Sequence, residues 1–508
     1  MNQMHAAHLP IPDRRSYFWL AIATVLLVFT YGMYRNPLAA CLALVFMIRF
    51  LRTQKTGSGY LLAVLALGVA NTISWWRTSF ELSAAFRIVF GFAVGLIYSV
   101  PFLCDRLLIR RFRGFAATLV FPFASAALEF LAIWPNPMTT YGSLAYSQSS
   151  SVFLTQVMSI TGMWGVVFLV AWSASTINWI WEEGVAWTRI RRGAAIFASV
   201  NLVVVLYGMV RLTAFPPQPG TVRIHGVVET DFTAEEWYRE VAPSIGSDPA
   251  AVRAHSEPSY DRYLNATIRE ARAGAQIVVW PELAAVGYQD GLDALLERAR
   301  AVARQEGIYL AMGVGLLSAD PAEDYISENR FVLVDPQGEI ILDFLKYGCT
   351  ALNMYDFEIQ TVDTPYGRLA GVICCDLDYP YVIQQVSKKG VDILLVPSFE
   401  PTPANLTAHS RMASFRAIEN GVSIFRPTTQ GISLAIDPYG RILGSMDATR
   451  VDDRVFVVQL PNHRVATVYS AVGDLFGWLT VVGFVIIAAW GIVRGCKAGV
   501  PAAGSPEP

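Results

Sequence analysis

The sequence predicts a polytopic α-helical membrane bundle of about eight spans, with one α/β domain inserted ahead of the last span. Three observations predict it. The chain of 508 residues is 54% hydrophobic and 16% charged, whereas soluble domains carry about 25% charged residues. Its apolar residues gather in segments near bilayer length in the first part of the chain, and once more near the end. Its basic residues are dense in every second loop between those segments. A net charge of −2 gives no electrostatic footprint for nucleic acid, so no nucleic-acid partner is expected.

Spans are read at residues 17–34, 37–50, 59–76, 84–103, 115–134, 152–179, 194–212 and 473–493. The second is short and the sixth is long, so their boundaries are soft. Arg14 and Arg15 precede the first span, but no small-residue cleavage site separates it from the second, so it does not read as a signal peptide. With the N-terminus in the cytoplasm, Arg49, Arg52, Lys55, Arg106, Arg110, Arg111, Arg113, Arg189, Arg191, Arg192, Arg494 and Lys497 fall inside, and Arg35, Arg77 and Arg87 fall outside. A miscount by one span would reverse that bias. The expected organisation is a membrane region of about seven helices over 1–215 and an extracytoplasmic catalytic domain over 216–470. A closing span over 471–495 and a cytoplasmic tail over 496–508 follow.

The inserted segment alternates α and β character. "TVRIHGVV", "QIVVWPEL", "IYLAMGVGLL", "LAGVICCD" and "VDILLVPS" read as buried strands. "RFVLVDPQGEIILDFLK" and "GISLAIDPYGRIL" read as hairpins around Asp-Pro turns. A helix is expected from Tyr260, where Tyr260, Leu264, Ile268 and Ala271 share a face, and another over "HSRMASFRAIENG" ending at Gly421. Glu282, Lys346 and Cys374 each follow a strand, where α/β sheets present side chains to a cleft. A carboxylate, an ammonium and a thiol suffice for acyl transfer through a covalent intermediate. Read singly, each has a bland alternative: a surface acid, a snorkelling base, a core thiol. Cys374 and Cys375 are adjacent and lie near no CxxC or HxxxH spacing, which leaves a buried pair or a nucleophile with a neighbour.

"VVWPEL", "FLK" and "GVICCDLDYP" resemble the three signature elements of nitrilase-type carbon–nitrogen hydrolases, and "FRAIENG" and "GISLAIDPYGRIL" resemble two further stretches. A nitrilase domain between seven spans and an eighth is similar to the layout of the apolipoprotein N-acyltransferases, as are "LEFLAIW", "YGSLAYSQ" and "QVMSITGMWGVVFLV". The resemblance implies an αββα sandwich, with Glu282 as general base, Lys346 as oxyanion cation and Cys374 as nucleophile. Cys375 takes the place of the usual aromatic, with packing as its expected role, and Asp376 the place of the acid. Trp237, Tyr146, Phe399 and Asp376 are the substrate-side candidates.

The resemblance further implies a phospholipid acyl donor, a diacylglyceryl-lipoprotein acceptor and membrane lipid as partners, with no cofactor and no metal. The implied location is the bacterial inner membrane, multi-pass, with the catalytic domain on the periplasmic side. The stretch from Lys346 to Cys374 lacks the family's second glutamate, and Asp356 and Glu358 are the candidates to replace it. The alternative functions are a membrane-anchored nitrilase-type amidase, in which water resolves the thioester, and a non-enzymatic scaffold. Cys349 is a further thiol outside the cytoplasm and a candidate to trap the nucleophile as a disulfide.

Overall fold

The computed structural model describes residues 14–76, 83–134, 139–215, 219–229, 234–318, 320, 325–348, 357–400, 409–452 and 454–499. The membrane region begins with α1 (Ser16–Val28), α2 (Pro37–Thr53), α3 (Thr56–Trp75), α4 (Ala84–Leu108) and α5 (Val120–Ala132). It continues through α6 (Val152–Thr155), α7 (Met158–Thr161), α8 (Met163–Glu182) and α9 (Trp187–Ala214). The start of α2 is fixed by Asn36, whose side chain accepts from the amides of Leu38 and Ala39, with Pro37 in the first turn.

Among the described residues, six helical segments are long and apolar enough to cross a membrane: Thr56–Trp75, Ala84–Arg111, Gly114–Ala132, Met163–Glu182, Trp187–Ala214 and Leu475–Arg494. α1 and α2 have 13 and 17 residues, so they rise only about 20 and 25 Å, short of a hydrocarbon core of about 30 Å. Both pack into the same bundle, α1 on α2 and α3, α2 on α8. The sixth expected span, 152–179, is not one helix. It breaks at Gly162, which sits at φ +62°, where an added Cβ would lie 2.6 Å from the Tyr469 ring. Ahead of the break, α6 packs on α9, and α7 meets the inserted domain at α14 (Met412–Asn420).

The inserted domain is a four-layer sandwich. One sheet runs β15–β1–β2–β4–β5–β6, with β3 paired to β4. Its strands are β1 (Thr221–Val227), β2 (Ile277–Val279), β3 (Ala285–Gly287), β4 (Tyr309–Leu317), β5 (Ile326–Val334), β6 (Ile340–Leu345) and β15 (Val455–Pro461). The other runs β14–β13–β11–β9–β8–β7. It comprises β7 (Thr361–Thr364), β8 (Gly367–Gly371), β9 (Ile393–Leu395), β11 (Ser423–Arg426), β13 (Ile432–Ile436) and β14 (Ile442–Asp447). A separate short parallel pair, β10 (Ser398–Phe399) and β12 (Thr428–Thr429), follows β9 and β11 along the chain.

Strand alternation builds the layers. Ile277 and Val279 face the core between the sheets with Leu369, Ile393, Leu395 and Phe425. Their neighbours Val278 and Trp280 face the helices α11 (Pro249–Arg272) and α12 (Gln289–Glu306). On the other side, Ala370, Leu394, Val396 and Ile424 pack under α13 (Pro380–Lys388) and α14 (Met412–Asn420). The chain leaves through α15 (Val468–Val472) into α16 (Leu475–Gly499). A short helix, α10 (Ala234–Glu240), lies over the first sheet's margin.

The two regions are joined by buried polar contacts. The Met163 amide donates to Glu419 Oε1 (2.8 Å) and Gln156 Nε2 to the Tyr439 carbonyl (2.9 Å), while Trp164 Nε1 ties α8 to the start of the closing helix through Asp474 Oδ1 (2.7 Å). Glu419 also faces Arg416 at 3.0 Å, both side chains being fully buried. The Thr140 hydroxyl donates to the Asp378 carbonyl (2.8 Å), and Thr139 does the same. Asp378 belongs to the turn that carries Cys374. The membrane region therefore braces the turn directly.

Candidate active site

Glu282 lies just past β2, where Pro281 ends the strand's pairing. The loop can settle onto β4 because residue 313 is glycine: a Cβ there would meet the Pro281 carbonyl oxygen at 2.4 Å and Glu282 Cα at 2.7 Å. Glu282 is buried, and its Oε1 accepts from Lys346 Nζ at 2.5 Å and from Asn329 Nδ2 at 2.7 Å. Its Oε2 is buried with no hydrogen-bond partner among the described residues. Lys346 is placed by the β5–β6 hairpin, since its amide donates to the Asn329 carbonyl at 2.7 Å. Burial alone would lower the Lys346 pKa. The charges of Glu282, Cys374 and Asp376 outweigh that and hold it above the ordinary lysine value.

Cys374 sits where β8 gives way to a tight turn, in the left-handed region at φ +48°. A non-glycine residue there is uncommon and marks a position held by its surroundings. Two contacts hold it: its amide donates to the Pro397 carbonyl (2.9 Å), and its thiol donates to the Phe399 carbonyl (3.5 Å). The thiol is free, whereas Cys375 is disulfide-bonded. This corrects two expectations. Cys375 is a covalent anchor beside the turn rather than a packing residue, and Cys374 is not trapped in a disulfide. Cys349 and Asp356 lie outside the described residues.

Asp376 ties the turn together. One carboxylate oxygen accepts from the amides of Tyr347 and Gly348 (3.1 and 2.6 Å), the other from that of Ile373 (2.8 Å). The residues after Lys346 are thereby joined to the residues around Cys374. Burial pushes the Asp376 carboxyl up to about 7, against the opposing pull of Lys346 and the amides.

A second set of charges flanks the turn, and no local spacing in the sequence announces it. Glu400, in the strand extension after Phe399, accepts from His409 Nδ1 at 2.9 Å and from Arg426 Nη2. His409 Nε2 lies 3.3 Å from Asp378 Oδ2. All four side chains are buried. Burial would lower the His409 pKa, but Asp378, Glu400 and Cys374 raise it well above the usual histidine value. Burial would raise that of Glu400, but His409 and Arg426 hold it below the usual carboxylate range. The Tyr141 ring, from the membrane region, stands edge-on to the imidazole at 5.7 Å.

The substrate-side candidates are placed as follows. Phe399 borders Cys374 through its backbone carbonyl. Tyr146 is fully buried, its hydroxyl 2.9 Å from that of Thr140 and its ring 4.7 Å from Phe415, so it supports the loop beneath the site and offers no free surface. Trp237 packs beside Ala242, Ile245, Val252 and Leu317. Glu358 does not replace a second glutamate: it is exposed and bonded to Lys389 Nζ at 2.6 Å. Among the described residues no group of three or more His, Cys, Asp or Glu side chains is arranged to hold a metal ion.

Residues 250–468 match the carbon–nitrogen hydrolase family, and residues 23–176 match the apolipoprotein N-acyltransferase N-terminal domain. The chain belongs to the apolipoprotein N-acyltransferase family. It is thus an acyltransferase of the nitrilase superfamily and a multi-pass membrane protein. The apolipoprotein N-acyltransferase of Geobacter metallireducens is 24% identical over 418 residues, 74% of each chain. Apolipoprotein N-acyltransferase 1 of Treponema denticola is 22% identical over 92% of this chain and 94% of its own. An amidase from Nesterenkonia sp. superposes with a TM-score of 0.38 at 21% identity, covering 49% of this chain and 95% of its own.

Proposed function

We propose that this apolipoprotein N-acyltransferase moves a fatty acyl chain from a phospholipid to the α-amine of a diacylglyceryl-cysteine lipoprotein through a thioester on Cys374. The observation that carries the reading is the state of Glu282: one oxygen is held by Lys346 and Asn329, and the other is buried and unoccupied among the described residues. A buried acceptor left open beside a fixed ammonium suits a general base. Glu282 takes the thiol proton, and the thiolate attacks the ester carbonyl. Lys346 faces the oxygen on which negative charge develops. The C–O bond breaks, and the proton held by Glu282 passes to the departing lysophospholipid oxygen. The lipoprotein amine then attacks the thioester, gives its proton to Glu282, and the C–S bond breaks to leave the amide. One site handles the two amphiphiles in turn.

The location that follows is the cytoplasmic membrane, with the sandwich on its outer side. The basic residues support this, because those expected inside gather at one end of the bundle. Arg52 pairs with Asp105 at 2.7 Å, and Arg111 donates to the Gly491 carbonyl at 2.9 Å.

The test is the intact mass of the purified full chain after exposure to phosphatidylethanolamine in detergent, beside Cys374→Ala. A hydroxylamine-labile fatty-acyl adduct is expected in the wild type and not in the variant. A wild type that stays unacylated while Cys374 still reacts with chloroacetamide would remove phospholipid as the donor. Consumption of the thioester by water at the same rate with and without lipopeptide would make the enzyme a hydrolase.

A further inference from the structure

A second feature lies on the other side of α14, where the last turn of α9 meets the sandwich. A small cleft there is lined by Ser149, Gln156, Leu212, Ser414, Tyr439 and Arg441, among others. Arg211, in the last turn of α9, is buried at 7% exposure. Its Nη1 donates to Gln156 Oε1 at 2.6 Å, and its guanidinium lies 4.9 Å from the centre of the Tyr439 ring. Its Nη2 is buried with no hydrogen-bond partner among the described residues. A neutral amide and an aromatic face are its neighbours, and neither balances its charge.

The neighbouring carboxylate is already used. Asp437 Oδ2 accepts from Arg441 Nε at 2.7 Å, and its Oδ1 accepts from the amides of Tyr439 and Arg441, both at 2.9 Å. Arg441 covers Tyr439 as well, at 5.1 Å, and its Nη2 is also buried without a partner among the described residues. Two guanidiniums and one carboxylate leave one positive charge over. A desolvated charge is costly unless an opposite charge meets it. Arginine forks suit phosphate and carboxylate oxygens above other anions.

The place of this charge selects among anions. α9 is a membrane-crossing helix with 11% of its apolar window buried, and Val203, Leu206, Met209 and Val210 lie exposed on it just ahead of Arg211. An anion at the last turn thus sits at the level of lipid headgroups, with an uncovered apolar helix beneath it. We propose that Arg211 and Arg441 bind the phosphate of a phospholipid whose acyl chains lie along α9, at a site distinct from Cys374. The bound lipid braces the Gln156–Tyr439 contact, which fastens the membrane region to the sandwich. The inference does not depend on the reaction assigned to Cys374.

The test uses the full chain in detergent with a photoactivatable phosphatidylglycerol, and maps the labelled peptides. Labelling is expected in the last turns of α9 or the turn at 439–441. Arg211→Gln and, as a second variant at the cleft's rim, Arg441→Gln should each lower it by about tenfold or more. A cooperative thermal unfolding transition in detergent, at a midpoint near that of the wild type, checks that each variant is folded. A photoactivatable diacylglycerol, lacking phosphate, should leave both peptides unlabelled in the wild type. Equal labelling by diacylglycerol, or undiminished labelling in both folded variants, overturns the proposal. Displacement by inorganic phosphate as effective as by phosphatidylglycerol overturns the lipid assignment and makes the cleft a free-anion site.

Discussion

The two charge clusters beside Cys374 are built differently. Glu282 and Lys346 come from the first sheet and form a pair with an open carboxylate oxygen. Glu400, His409, Arg426 and Asp378 come from the second sheet and its connections, and their charges balance two against two. The second cluster also reaches the membrane region, through the Asp378 carbonyl and the Tyr141 ring. The difference separates two tasks. The pair is positioned to move a proton, and the balanced cluster is positioned to hold the nucleophile's turn in place. Variants in the two should fail in different ways.

The largest effect is expected at Glu282. Glu282→Gln keeps the shape and the contact to Lys346 but removes the base. Thioester formation on Cys374 should slow by about 10²–10⁴-fold, the range for a general base, and the buried Lys346, left without its counter-charge, should lower the melting temperature as well. A variant that acylates at the wild-type rate would move the base elsewhere. A variant that instead loses several degrees of melting temperature at an unchanged rate would place Glu282 among the structural charges.

The balanced cluster should show the reverse. Glu400→Gln leaves His409 and Arg426 buried with one carboxylate fewer, and breaking a buried pair of this kind costs about 3–5 kcal/mol. The measurement is thermal unfolding in detergent, compared with the rate of acylation in whatever fraction remains folded. A large loss of stability with a modest loss of rate supports the division of tasks. A rate loss as severe as that of Glu282→Gln, in a fully folded protein, would erase it.

The pair and the cluster were not equally legible in the sequence. Glu282, Lys346 and Cys374 each end an apolar run, and strand ends point into the cleft of an α/β sheet. The sandwich was legible for the same reason, since its strands are buried on both faces and read as continuous apolar runs. His409 follows "PTPANLTA", and Arg426 closes "SIFR". Neither has a spacing to Glu400 or Asp378 that local periodicity describes, because the contacts are made across the fold. The available signal for Glu400 is its place two residues past the buried run "VDILLVPS", at a strand end like that of Glu282. The break at Gly162 was hidden because hydropathy stays high through "SITGMWGVV". Hydropathy records how well a segment tolerates lipid and carries nothing about the dihedral of one glycine.

The pH dependence of stability sharpens the comparison further. His409 has a folded pKa raised above its unfolded value of about 6.5 by Asp378 and Glu400. Its contribution is therefore complete below about pH 6.5 and is lost as the pH rises through the folded value. The melting-temperature gap between wild type and His409→Gln should be widest between about pH 4.3 and 6.5, where His409 is charged in both states and Glu400 is ionised, and should narrow as the pH rises above that window. Glu400 acts in the opposite direction: its contribution holds above about pH 4.3 and fades as the pH falls through its lowered folded value. A gap for His409→Gln that grew with rising pH would mean the imidazole is buried neutral.

Asp376 gives the smallest expected effect, because it belongs to neither cluster. Its carboxylate accepts three backbone amides, from Tyr347, Gly348 and Ile373. It fastens the strand end bearing Lys346 to the turn bearing Cys374. Asp376→Asn keeps the volume but turns one acceptor oxygen into a donor, which then faces an amide N–H. Leaving one buried group unpaired costs about 1–3 kcal/mol. Burial already pushes this carboxyl up to about 7, so the lost charge matters less at neutral pH than the lost acceptor. Acylation should slow several-fold, because Lys346 is then held less firmly against the turn, and Glu282 should remain competent. The deciding comparison is Asp376→Asn in an otherwise wild-type chain against the same change in Glu282→Gln. Additive losses place Asp376 as a separate fastener. Strongly non-additive losses would show that the clasp and the Glu282–Lys346 pair work as one unit.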